Sequence, residues 1–400
     1  MRKVFFFLPI PLILILATAV EAHRYFLEPA NYIVVLKDNA NLDQTTDEMA
    51  TRGHFAWGEK YDRALKGYSA SLTKASLADV VKDPRVKFVS EDRVVTTQAQ
   101  TLPTGVRRVN AAVNPNQGDG VGVAVVDTGI SLAHPDLAAN IVAQTSCVRF
   151  TSGNDDNGHG SHVAGTIAAV VNSTGVVGVA PKAKLIAVKV LNRNGSGTWS
   201  QIICGLNWVV SHASAYNIKV VNMSLGGGGT SDNNCGNTNF DALHQALCRV
   251  RDAGITVVVA AGNSSTNANT FVPAAYDDAV ITVSALADSD GLAGSLGSAT
   301  GYGADDTFAT FSNYGNVVDL AAPGVSIYST YKGSSYATLS GTSMAAPHVS
   351  AAAALYIHSH PGSSWTDVRN ALVANGEALG AGHTDPSGLH PEAVLNTSGL

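Results

Sequence analysis

VGVAVVDTGI, residues 121–130, is an apolar run with four valines that stops on an acid and enters a turn. A strand exposed on one face alternates polar and apolar residues, whereas an unbroken run belongs to a strand buried on both faces. The signature recurs in KLIAVKVL (184–191), IKVVNMSL (218–225), ITVVVAAGN (255–263) and AVITVSAL (279–286). Between these runs lie helical stretches: HVAGTIAAVV (162–171), WSQIICGLNWVVSHA (199–213) and FDALHQALCRVRDAG (240–254). Alternation of this kind means βαβ units and a mostly parallel sheet with helices on both faces. The expected fold class is therefore an α/β three-layer sandwich. Chemistry in such sheets gathers beyond the carboxyl ends of the strands, where Asp127, the segment from Ser224 to Gly227, and Asn263 all fall.

Outward from this sheet the chain changes character. Residues 31–98 read as a small α+β unit: strand-like YIVVLK (32–37), a helical stretch around Asp47 to Tyr61, then YSASL (68–72), a short helix and strand-like VKFVSEDRVV (86–95). The polar, proline-containing TTQAQTLPTG (96–105) marks a boundary. Residues 1–22 carry Arg2 and Lys3, an apolar stretch interrupted by Pro9 and Pro11, and a small residue at Ala22, which reads as a secretory signal. The stretch is too short and broken for a membrane anchor. The expected organisation is thus a signal peptide at 1–22, a small domain at 23–98 and a main domain at 99–400, secreted and free of the membrane after signal removal.

The net charge is −6, with 14% charged and 45% hydrophobic residues, which describes a packed globular chain. Residues 99–400 hold 12 Lys plus Arg against 19 Asp plus Glu, a net of −7, while residues 23–98 balance at 11 against 11. The lack of a basic run argues against a nucleic-acid partner held through phosphates. All four cysteines lie beyond residue 98, and an even number in an exported chain implies two disulfides. Three pairings are open; Cys235 with Cys248 is favoured as the local bridge, leaving Cys147 with Cys204. A monomer is expected.

Three segments carry the chemistry: DTGI (127–130), GHGSHVAG (158–165) and SGTSMAAPHV (340–349). A single DTG cannot form the paired carboxylates of an aspartic protease. The serine motif is not G-x-S-x-G, and the chain order Asp, His, Ser is not that of an α/β-hydrolase; it is the order subtilisin itself exemplifies. With HPDL (134–137), VAPKAKLIAVKVL (179–191), NGSGTWS (194–200), NMSLGG (222–227), AAGN (260–263), FSNYG (311–315) and APG (322–324) in register, the chain resembles the subtilisin family of serine endopeptidases over almost its whole length. YIVVLK and YSASL resemble that family's inhibitory propeptide.

The roles follow from chemistry as well as resemblance. A serine hydroxyl is a poor nucleophile at neutral pH, so Ser343 needs His159 as base, and Asp127 fixes the imidazole's tautomer and steadies its charged form. Asn263 is the candidate donor to the oxyanion, the function measured on subtilisin's own asparagine. Its alternative is a turn residue or the glycosylation acceptor of an NSS sequon. His162 and His348 read as helix histidines with backbone partners, since one base per nucleophile suffices.

The resemblance further implies a cleft in which Gly195, Ser196 and Gly197 on one side and Ser224, Leu225 and Gly226 on the other flank a protein or peptide substrate as an added strand, with an apolar P1 preference. It implies structural Ca²⁺ held by Gln100, Asp136, Val170, Asn172, Thr174 and Val176, with Asn172 alternatively a glycosylation acceptor. It implies a second site centred on Asp319, with carbonyls near Asp278 and Val280. AQTLPTGV (99–106) resembles a mature N-terminus, so the expected zymogen cleaves itself near Gln98 after its propeptide has guided folding and acted as intramolecular inhibitor. A catalytically silent secreted binding protein on the same fold is the alternative, disfavoured by the presence together of Asp127, His159, Asn263 and Ser343.

Overall fold

The computed structural model describes residues 29–93 and 100–400. The expected signal segment and the cleavage point near Gln98 lie outside the described residues. The chain divides into two compact units, Met1–Thr97 and Gln98–Leu400.

In the first unit, β1 (Ala30–Leu36), β2 (Trp57–Tyr61), β3 (Gly67–Leu72) and β4 (Val86–Glu91) form an antiparallel sheet in the order β2-β3-β1-β4. Two helices, α1 (Leu42–Gly53) and α2 (Lys74–Lys82), contribute Met49 and Val80 to a small core with Val34, Leu36, Tyr68 and Leu72. The helical stretch expected to reach Tyr61 is shorter and earlier. Asn41 caps it by accepting from the Gln44 N–H at 3.1 Å, and His54, left-handed at φ 51°, stops it, freeing Trp57–Tyr61 to pair with β3.

The second unit is a three-layer α/β sandwich around a nine-stranded sheet. Its main path runs β17 (Ala393–Val394), β14 (Leu320–Pro323), β12 (Ile281–Ala287), β10 (Thr256–Ala260), β8 (Ile218–Met223), β5 (Gly122–Asp127), β7 (Lys184–Lys189) and β6 (Ile141–Ser146), all parallel. The two-residue β13 (Thr307–Phe308) adds antiparallel to β12, and two antiparallel pairs stand outside this sheet, β9 (Gly227–Gly228) with β11 (Phe271–Val272) and β15 (Ile327–Tyr331) with β16 (Ser335–Leu339). Every residue of β5 is buried, as are those of β10 and β12, so the unbroken apolar runs do mark strands covered on both sides. One face packs against α3 (His159–Ala168) and α6 (Thr342–Ser359), the other against α4 (Trp199–His212) and α5 (Ala242–Asp252). Cys147 pairs with Cys204 and Cys235 with Cys248, the favoured arrangement.

Candidate active site

Asp127 and His159 meet at the carboxyl edge of the sheet. Asp127 ends β5 with no exposed surface. Its Oδ1 accepts from the Thr128 N–H at 2.7 Å, and His159 Nδ1 lies 2.8 Å from Oδ1 and 3.0 Å from Oδ2. Two carboxylate oxygens at that distance hold a proton on Nδ1 and leave Nε2 with a lone pair. Burial pulls the imidazole pKa down, but the Asp127 charge and hydrogen bond, helped by Asp155, outweigh it and leave the pKa raised.

The placement of His159 is a local necessity of the sequence. Gly158 starts α3 at φ 118°, a conformation only glycine adopts freely. Gly160 lets the helix touch the DTG turn: a Cβ there would stand 2.1 Å from the Gly129 carbonyl oxygen. Thr128 joins the two, its Oγ1 accepting from the Gly160 N–H and donating to Asp155 Oδ1, both at 2.9 Å. Asp155 also accepts from the N–H groups of Asn157, Gly158 and Ser161 and from the Ser161 hydroxyl. Beneath this turn Lys189, wholly buried, donates to the Thr128 and Leu191 carbonyls and to Asp156 Oδ1, so its three N–H groups are matched by three acceptors.

Ser343 is the second residue of α6, an 18-residue helix. Pro347 has no N–H, so the Ser343 carbonyl loses its helical donor. Ser224 replaces it: its hydroxyl donates to the Ser343 oxygen at 2.9 Å, and its own carbonyl accepts from the Ser343 hydroxyl at 3.2 Å. The loop after β8 and the head of α6 are thereby clasped. Asn263, three residues past β10, accepts through Oδ1 from the Thr342 N–H at 2.8 Å and the Thr342 hydroxyl at 2.9 Å. With that oxygen doubly engaged, its Nδ2 remains as the donor.

A cleft of about 640 Å³ opens beside His159. All six expected flanking residues, Gly195, Ser196, Gly197, Ser224, Leu225 and Gly226, line it. Its apolar floor comes from Leu191, Trp199 and Ile202. His162 and His348 are fully buried; His162 Nε2 meets the carbonyls of Ile327 and Ala337, and His348 Nδ1 that of Met344. Burial pushes both down to about 4, so they are neutral at physiological pH and serve packing.

The two expected metal positions differ. Asp136, fully buried, accepts through Oδ1 from Asn172 and through Oδ2 from the Val176 N–H and the Tyr336 hydroxyl, each at 2.9 Å. The Gln100 amide nitrogen donates to the Val170 carbonyl at 2.7 Å and the Val176 carbonyl at 2.9 Å. Carbonyls thus converge on a partially positive group beside a buried carboxylate, a donor set of oxygens that fits Ca²⁺. Asp319 does not fit a metal. Arg369 Nε lies 2.5 Å from its Oδ1 and the same guanidinium reaches Asp277, so a cation of the protein already stands against the carboxylate. The arginine sits on α7 (Trp365–Asn375), far along the chain, and spacing around Asp319 could not reveal it.

Thr128, Asp155, Lys189 and Thr342 escaped the sequence reading. Each acts through a backbone contact. Lys189 carried the one usable signal: a cation inside an apolar strand needs buried acceptors.

A model of the subtilase family matches residues 118–388, and one of the peptidase inhibitor I9 family matches residues 31–98. An alkaline protease of Alkalihalobacillus alcalophilus is 42% identical over 325 residues, covering 80% of this chain and 77% of its own. Subtilisin E of Bacillus subtilis (strain 168) is 39% identical over 332 residues, covering 80% and 78%. The crystal structure of a cold-adapted subtilisin-like serine proteinase superposes with a TM-score of 0.59 at 29% identity, covering 76% of this chain and 99% of that one.

Proposed function

This chain belongs to the subtilase family and is a subtilisin-type serine protease with an I9 propeptide domain; on that premise we propose that Ser343 is its nucleophile, His159 its general base and Asp127 the residue that orients the base and steadies the imidazolium it becomes. The observation that carries the reading is the two-pronged contact of buried Asp127 with His159 Nδ1 at the mouth of the cleft.

The free Nε2 of His159 takes the Ser343 proton as the hydroxyl leaves its contact with the Ser224 carbonyl. Oγ then bonds to the substrate carbonyl carbon, and the electron pair of the C=O moves to oxygen. Asn263 Nδ2 and the Ser343 N–H stabilise that oxyanion, with the helix N-terminus favouring the same charge. His159 next returns the proton to the leaving amine, and water hydrolyses the acyl-enzyme by the same proton path. Gly195 to Gly197 and Ser224 to Gly226 pair with extended substrate, and Leu191, Trp199 and Ile202 favour apolar side chains.

The protein is made as a secreted zymogen that cleaves itself near Gln98, the I9 domain being its intramolecular inhibitor. Gln100, Asp136, Val170, Asn172, Thr174 and Val176 would hold Ca²⁺, which supplies a structural tie between the new N-terminus and the 170–176 loop. Expression of the wild type beside Ser343→Ala tests the reading: the wild type is recovered processed near residue 98 and digests casein, and the variant is recovered as full precursor. Self-processing of the variant would refute it.

A further inference from the structure

The segment that follows β12 runs Asp288-Ser289-Asp290-Gly291 and returns at Asp305. One carboxylate oxygen from each of Asp288, Asp290 and Asp305 lies within 4.8 Å of the others. Asp288 is 2% exposed and Asp305 3%. Three acids packed this closely repel one another strongly, and an isolated buried carboxylate is costlier still. Among the described residues none of the three forms a salt bridge. The nearby guanidinium of Arg108 is spent on Asp306, at 2.7 Å, and on Glu377.

The hydrogen bonds leave specific oxygens open. Asp288 accepts from the Gly291 N–H through Oδ1 at 3.0 Å, while its Oδ2, buried, has no partner. Asp290 is held by the Leu292 N–H, also through Oδ1. Asp305 is fixed at both ends, by the Ser289 N–H and hydroxyl at Oδ1 and by the Gly297 N–H at Oδ2. Gly297 must be small for this, since a Cβ would come within 2.9 Å of Asp305 Oδ2. A buried carboxylate with one oxygen unpartnered, packed against two further acids, lacks only a cation. Burial pushes the Asp288 carboxyl up to about 7, with Asp306 and Asp305 adding to the effect against Arg108.

We propose that Asp288, Asp290 and Asp305 bind a calcium ion at the carboxyl end of β12, separate from the Asp136 loop. The donors are all hard oxygens, with no imidazole or thiolate to favour zinc. Oxygens bound to one Ca²⁺ at about 2.4 Å lie at most about 4.8 Å apart, and one oxygen of each of these three carboxylates falls inside that limit. The three charges exceed those of the ion, and a loop-borne, irregular set suits Ca²⁺ better than Mg²⁺, which demands a near-ideal octahedron. The ion ties the start of the 288–305 loop to its end and thereby fixes it beside the strand edge.

The test counts bound calcium. Full-length chain carrying Ser343→Ala, chosen to prevent proteolysis, is dialysed against calcium chloride beside the same chain with Asp288→Asn and Asp290→Asn added. The proposal expects the number of ions bound per chain to fall by one, whatever the occupancy of the Asp136 loop. In chelator the doubly substituted chain, relieved of buried charge, melts at or above the parent's temperature; in calcium the parent melts higher. An unchanged ion count, or calcium raising both melting temperatures equally, overturns it. Should the double variant fail to fold, Asp290→Asn alone is used, its carboxylate being only half-buried: loss or at least tenfold weakening of one binding event supports the site, and unaltered binding overturns it.

Discussion

Asp127 and Asp288 stand at equivalent places, each at or just past the carboxyl end of a parallel strand of the same sheet, and both are almost wholly buried. Their partners separate them. Both oxygens of Asp127 are occupied, by Thr128 and His159, so its charge is compensated and directed at one imidazole. Asp288 keeps one oxygen without a partner and faces two more acids. The sheet edge supplies buried carboxylates; what meets them decides whether they steer a proton or call for a cation.

The contrast can be broken most forcefully on the Asp127 side. Ser343→Ala is expected to lower kcat by about 10⁶, the loss measured on subtilisin itself, with binding little changed. Asp127→Asn is expected to cost about 10⁴ in kcat. It also moves the pH profile in a definite direction. Asp127 raises the His159 pKa, and the base works only when neutral, so kcat/KM climbs as pH rises through that pKa. Removing the charge lowers the pKa and shifts the acid limb to lower pH; an unshifted limb would deny that Asp127 governs the base.

Smaller effects sharpen the picture. Asn263→Ala should reduce kcat by about 10²–10³ with KM nearly constant, because its Nδ2 would act on the transition state, as measured for subtilisin's own residue. Thr342→Val keeps the N–H bond to Asn263 but removes the hydroxyl, and the less firmly held amide should lose about tenfold in kcat. Its test is the split between kcat and KM, since a merely structural defect would lower the melting temperature and leave kcat intact.

How legible each region was follows from the same physics. β5, β8, β10 and β12 were readable because burial on both faces demands uninterrupted apolar runs, and Asp127, His159 and Ser343 because their chemistry demands fixed neighbours such as Gly158 and Gly160. β2 was read as helix although Gly53 and Gly58 offered breakers; the left-handed His54 ends the helix and frees Trp57–Tyr61 to pair with β3. Arg369 opposite Asp319 and Thr342 under Asn263 depend on segments distant in the chain, and no local pattern records such contacts. Asp288 belongs with these, since its character comes from Asp305 at the far end of the loop.

The most direct measurement is labelling of the processed enzyme with diisopropyl fluorophosphate followed by peptide mapping. The account predicts one phosphoryl group per chain, on Ser343, formed at a rate that rises with deprotonation of His159 and falls steeply in Asp127→Asn. Labelling at another residue, or equal labelling of Ser343→Ala, would contradict it.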